Sequence, residues 1–286
     1  MGIQYAVLFG LIAMVGSGLS SAFSRRPARE MGSDRALFWR QVIMVVLQVP
    51  LVMFFFPKDL PWQGLVEAVV IGLIGYLPIY FFFRAISNGR VGVISPISNS
   101  SAVITTLLAV YVLGEPFGVF RTFGLVLALV GVVLLSVNFA DWKNSALFRK
   151  ESGIPFAIAA CLGWGFILFF IRYPVLLVGP ILTAFLVESS VLAISAARLL
   201  ASRQSCSLPR ELRLVALCVG FFSVFGSVAY DAGLMTSSVA VVAILNMTNP
   251  VISAGYERFA YGEKLALRQY AGMALAILGA VLVSVL

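Results

Sequence analysis

The sequence predicts an all-α membrane protein, with ten transmembrane helices arranged as two inverted five-helix repeats. Three observations lead there. Of the 286 residues, 61 % are hydrophobic and only 11 % charged, with a mean hydropathy of +1.02, whereas a soluble domain carries about 25 % charged residues. Apolar runs recur along the whole chain. The stretch Val91–Val137 also occurs twice, since a shift of 148 residues lays it without a gap on Val239–Val285.

Fourteen of those 47 aligned positions are identical, among them Val103/Val251, Ile104/Ile252, Gly114/Gly262, Glu115/Glu263, Gly124/Gly272, Ala128/Ala276, Gly131/Gly279 and Ser136/Ser284. Unrelated apolar stretches would share only about five. Each copy reads as an apolar helix, a Gly-Glu hinge and a second apolar helix with small residues every third or fourth position. A shift of 147 extends the repeat forward. It brings Gly16-Ser17-Gly18 onto Gly163-Trp164-Gly165, Arg25 onto Arg172 and Pro27 onto Pro174.

A helix needs about 20 apolar residues to cross the hydrocarbon core. On that ruler the spans are 3–23, 34–56, 65–87, 91–113, 120–138, 154–173, 178–200, 212–235, 238–260 and 267–286. Short connections make neighbours antiparallel. The polar stretch Asn138–Gly153 falls mid-chain, so residues 1–138 form the first repeat, 139–153 a linker and 154–286 the second. Five is odd, so the second repeat enters the membrane from the opposite side. Inverted repeats place a binding site near the midplane, and exchange of the halves' conformations gives alternating access.

Several function classes drop out. There is no histidine, which removes His-based triads and His metal sites. Ser17 between two glycines has no base to activate it. Tyr230-Asp231 lacks the second carboxylate motif of an intramembrane aspartyl protease. No GxxxxGK[ST] loop is present, so ATP is not a direct drive. No enzyme activity and no cofactor are expected. A channel would need a ring or a repeated filter motif, and none is evident. The net charge of +8 sits between the spans, where it serves orientation and lipid headgroup contact; no nucleic-acid partner is expected. The first span follows Met1 without a basic leader or cleavage site and reads as a retained helix. Cys161, Cys206 and Cys218 have no metal spacing and read as free thiols.

Ten spans, two five-helix repeats and a Gly-Glu pair after the fourth and ninth helices resemble the drug/metabolite transporter superfamily, in its EamA-type branch. Gly114-Glu115-Pro116, Gly262-Glu263-Lys264 and Pro250 carry the likeness, which spans essentially the whole chain. It implies a secondary transporter of small organic solutes, often an exporter of amino acids, their derivatives or drugs, in a bacterial inner membrane. Import of a cation or polar metabolite, and channel-like facilitation, are the alternatives. Many members carry basic residues before the first helix; here Arg25, Arg26, Arg29 and Arg35 follow it.

The Gly-Glu hinges also have a physical reading. Glycine accepts a positive φ and ends a helix. The following glutamate is expected at the start of the next helix, where it favours the positive dipole end. Gly124, Ala128 and Gly131, and Gly272, Ala276 and Gly279, permit close helix approach. They are expected to back the bundle or to form a homodimer contact through helices 5 and 10.

Polar groups deep inside spans are costly and point to function. Glu188, mid-way along span 7, suits transport or a structural ion pair. Ser223, Ser227 and Asp231 form a stripe on span 8. Tyr76, Tyr80 and Arg84 form another on span 3, read as cavity wall or as packing. Arg40 lies about two turns into span 2, and a shift of 148 brings it onto Glu188. Spans 4 and 9 carry polar segments at a proline, Ser95–Ser101 and Asn246–Pro250. Ser98, Asn99, Asn246 and Asn249 then either line a cavity or satisfy kinked backbone. Glu257 beside Arg258 reads as an interfacial pair. Spans 3, 4, 8 and 9 should surround the cavity, and spans 5 and 10 should be peripheral.

The bases Arg40 and Arg84 lie in the first half, the acids Glu188 and Asp231 in the second. That division suits a zwitterion: guanidinium on a carboxylate, carboxylate on an ammonium, and Tyr76, Tyr80 or Trp164 over an apolar part. Glu188 is the candidate for proton coupling. In the odd-numbered connections and their flanks 15 basic residues remain once Arg40 and Arg84 are set aside, against Lys58, Arg121 and Arg172 in the even-numbered ones. Positive loops stay cytoplasmic, so both termini should face away from the cytoplasm.

Overall fold

A computed structural model of the chain describes residues 2–89, 91–136, 153–236, 238–262 and 265–285. Its α-helices are α1 (Ile3–Glu30), α2 (Ser33–Phe54), α3 (Trp62–Asn88), α4 (Val91–Asn99), α5 (Ser101–Leu113), α6 (Val119–Ser136), α7 (Ile154–Phe170), α8 (Arg172–Val178), α9 (Pro180–Ala201), α10 (Arg213–Leu234), α11 (Val239–Met247), α12 (Pro250–Tyr261) and α13 (Leu267–Val285). Among the described residues no strand occurs. Among these residues nine runs are long and apolar enough to cross a membrane, and Val119–Leu135 is a shorter tenth. The chain is an integral multi-pass membrane protein. Large apolar side chains such as Ile74, Leu77, Phe221, Phe225, Leu278 and Val281 face outward, as lipid contact requires. The expected linker up to residue 152, with Lys143, Arg149 and Lys150, lies outside the described residues. So do Arg90, Glu263, Lys264 and the Glu257 side chain.

Three spans are broken, each for a local reason. Proline cannot donate to the carbonyl four residues back, so Pro174 ends α7 at Phe170 and Pro250 ends α11 near Asn246. Pro250 then opens α12 at its first position, where its missing N–H costs nothing. Span 4 breaks at Ser100. There Asn99 Nδ2 donates to the Ser95 carbonyl at 2.7 Å and Ser100 Oγ to the Pro96 carbonyl at 3.0 Å, local bonds of the kind that bend a helix. Span 1 runs seven residues past its expected end at residue 23, through the basic cluster, where an Arg26–Glu30 pair at 2.7 Å bridges one turn. Span 6 extends to Val178 and stops at Gly179, whose φ of 83° is strained for any other residue.

The packing follows the repeat. α1 lies on α10 as α7 lies on α3, and α3 lies on α9 as α10 lies on α2. α2 pairs with its own counterpart α9, and α6 with α13. Exchanging spans 1–5 with 6–10 maps this set of neighbours onto itself, as two inverted repeats demand. The small residues make the close contacts. A Cβ on Gly16 would sit 2.6 Å from the Gly226 backbone nitrogen, and one on Gly272 would sit 2.7 Å from the Gly131 carbonyl oxygen. These small faces, expected to back the bundle or to form a homodimer contact, meet between α6 and α13 of one chain. A dimer along these spans would have to use their outer faces, such as Val126, Val130 and Val133.

Gly114 and Gly262 end their helices with φ of 66° and 64°, as the hinge reading expects. Glu115 departs from that reading. It caps no helix of its own repeat; instead it reaches across to α11. Its Oε1 accepts from the Val239 N–H at 2.6 Å, and its Oε2 accepts from the Ala240 N–H at 3.1 Å and the Ser238 hydroxyl at 3.0 Å. The attraction between carboxylate and helix N-terminus is the one expected, but it joins the two repeats.

Candidate functional site

Between the repeats lies a cavity of about 1160 Å³, its mouth included. α1 contributes Ser17, Ser20, Ser21 and Ser24, and α2 contributes Arg40. α3 contributes Gly75, Ile79, Phe82 and Phe83; α7 contributes Trp164, Ile167 and Leu168. Glu188 enters from α9, and Ser223, Ser227, Tyr230 and Asp231 from α10. The broken spans supply Asn99, Asn246 and Asn249. Neither α6 nor α13 lines it, in line with their peripheral assignment. Spans 1, 2, 6 and 7 join the expected spans 3, 4, 8 and 9, because glycines let α1 and α7 close on their partners near mid-membrane.

Arg40 and Glu188, aligned by the repeat, meet in space. Arg40 Nη1 lies 3.6 Å from Glu188 Oε2, both side chains about one-eighth exposed. Gln41, fully buried, donates its Nε2 to Glu188 and accepts from Arg40 Nη1. Arg40 Nε donates to Ser223 Oγ at 3.0 Å, which in turn lies 2.6 Å from Ser20 Oγ. A charge costly in hydrocarbon is thereby paired and hydrogen-bonded.

Asp231 differs. It is 2 % exposed, and its Oδ2 has no hydrogen-bond partner. No lysine or arginine among the described residues forms an ion pair with it. Arg172, at the same end of the bundle, donates Nη1 to the Leu234 carbonyl at 2.7 Å, and Tyr230 donates its hydroxyl to the Leu168 carbonyl at 3.2 Å. Asn246 Oδ1 is likewise buried without a partner. Asn99 and Asn249 bond to each other.

Four expected site residues lie elsewhere. Tyr76 and Tyr80 stack on each other at 5.7 Å, one residue step round α3 from the cavity face of Gly75, Ile79 and Phe82. A helical step of about 100° turns that stripe towards α9. There Arg198 donates Nη2 to the Tyr80 hydroxyl and Nε to Asp34, each at 2.7 Å. Arg84 is exposed, with its guanidinium 6.0 Å from the Phe156 ring. Ser98 is buried against α7, donating to the Ala157 carbonyl at 3.4 Å. Of the aromatic candidates only Trp164 lines the cavity, 5.2 Å from the Phe82 ring. The serines of α1 were missed. Their spacing, i, i+3, i+4 and i+7 from Ser17, puts all four on one helix face and was legible in an otherwise apolar span.

A ten-span bundle of two inverted repeats around a polar central cavity has the architecture of a membrane transporter of small solutes. The EamA-like transporter family matches residues 4–137 and again 151–285, one match per repeat. The chain belongs to that family. A crystal structure described only as that of a protein superposes with a TM-score of 0.74 at 20 % identity, over 98 % of this chain and 96 % of its own, a likeness of fold. No curated protein matches the sequence significantly.

Proposed function

We propose that the chain exports a small amino-bearing solute, an amino acid or amino-acid-like metabolite, across a bacterial inner membrane. One observation carries this reading: among the described residues the cavity charges are one arginine and two carboxylates, with Arg40 paired to Glu188 and Asp231 without an ion-pair partner. A carboxylate of the solute competes with Glu188 for Arg40, and guanidinium binds it through paired hydrogen bonds. Protonation of Glu188 also releases Arg40, which ties proton binding to the state of the pair. Trp164 and Phe82 cover an apolar part.

Counterflow of labelled amino acids and amines into proteoliposomes tests the reading. Saturable exchange that stops at 4 °C supports it. Currents of single-channel size, or exchange confined to anions and uncharged solutes, would overturn it.

A further inference from the structure

The proposed reading leaves open where the amino group of the solute binds. Resting on that reading, we infer that Asp231 forms an ammonium subsite remote from Arg40, so that the carrier prefers amines whose ammonium stands apart from any carboxylate over α-amino acids.

A carboxylate at this depth in a membrane needs a counter-charge, water or a ligand. Asp231 has no cation among the described residues, and it lines the cavity. Asn246 offers a second buried acceptor in the lining of the same cavity. An ammonium has three donors and no acceptor, so it matches acceptors left open. The cationic and phenolic donors nearby are already engaged, since Arg172 and Tyr230 are committed to backbone carbonyls.

Geometry separates the two poles. Ser223 holds Arg40 Nε, and Asp231 lies eight residues further along the same helix. At 1.5 Å per residue the rise between them is about 12 Å. An α-amino acid carries both charged groups on one carbon, a separation much shorter than that rise. A molecule with its ammonium at Asp231 therefore extends its body along Trp164 and Phe82. Any second polar group reaches Arg40 or the α1 serines only across several bonds.

Three probes sharing one ring separate the terms: 2-phenylethylamine, phenylalanine and 3-phenylpropionate. Their binding to purified protein in nanodiscs is measured by calorimetry. The amine should bind at least tenfold tighter than phenylalanine, and the acid should not bind. Asp231→Asn should weaken the amine at least tenfold, while Arg84→Gln, outside the cavity, should leave it unchanged. Phenylalanine binding as tightly as the amine, or amine binding untouched by D231N, overturns the subsite. If D231N fails to fold, the order of the three probes on the wild-type protein decides. Counterflow keeps the two ideas apart. Exchange of phenylalanine with no preference for the amine removes the subsite and leaves the exporter reading standing, whereas binding and exchange of none of the three removes both.

Discussion

Asn99 and Asn249, one on each repeat, bond to each other through their amides. Asn249 Nδ2 donates to Asn99 Oδ1 at 2.6 Å, and Asn99 Nδ2 donates back to Asn249 Oδ1 at 3.3 Å. Each stands where its span is broken, so this pair fastens one interrupted helix to the other. Removing either amide leaves its partner underbonded in a buried site, at a cost of about 1–3 kcal/mol. N249A should lower the melting temperature in detergent. Since the two residues share one interaction, N99A/N249A should cost less than the sum of the single variants. Strict additivity would show that the pair contributes nothing.

The Arg40–Glu188 pair separates folding from transport. Arg40→Ala strands a buried carboxylate and should destabilise by about 3–5 kcal/mol, seen as reduced folded yield. Glu188→Gln keeps a hydrogen-bonding group beside Arg40 and should fold in higher yield than Arg40→Ala, with transport lost or made insensitive to pH. Normal transport with an unchanged pH profile would remove Glu188 as the coupling group. Replacing both partners, as in R40M/E188L, should restore yield without restoring transport.

Close contact between α6 and α13 depends on missing side chains. A Cβ on Gly131 would run into the Ala276 backbone nitrogen, and nothing lies within 4 Å of a Cβ on Gly118. Gly131→Ala should therefore cost about 1–3 kcal/mol by forcing the backbones apart. Gly118→Ala should be neutral in the same melting assay. Equal effects would mean that the helices are not packed on this face.

Glu115 satisfies the first N–H groups of α11 from the other repeat. Loss of such a cap typically costs about 0.5–2 kcal/mol, so Glu115→Ala should lower stability and Glu115→Gln should recover part of it. Hydrogen exchange should quicken at Val239 and Ala240 before it does elsewhere in α11. Unchanged exchange there would refute the cap.

Charge distribution predicts that both termini face away from the cytoplasm. A carboxy-terminal GFP fusion should be dark and an alkaline phosphatase fusion active. A fluorescent GFP fusion would reverse the orientation.

Hydropathy and the internal repeat made the fold legible, because each span reports its own length and the repeat reports its own symmetry. The Arg40–Glu188 pair was legible for the same reason: one shift aligned both residues, and counterparts across a two-fold lie close together near its axis. Rotation of a helix is harder to read. Tyr76, Tyr80 and Arg84 share a stripe, yet only packing reveals that this stripe lies one residue step from the cavity. Glu115 was placed correctly as a helix-capping carboxylate and attached to the wrong helix, since sequence neighbours say nothing about a partner 124 residues away.

The fourth and ninth spans are repeat counterparts, but lipid treats them differently. Of the ninth span's most apolar 18 residues 83 % are enclosed by protein, against 39 % for the fourth. An exchange of conformations between the halves would expose the ninth span to acyl chains and withdraw the fourth. The surrounding bilayer is then a participant in the equilibrium, because every change in wetted apolar area is weighed against lipid packing. Bilayer thickness and acyl-chain order would set the resting ratio of the two states even with no solute bound.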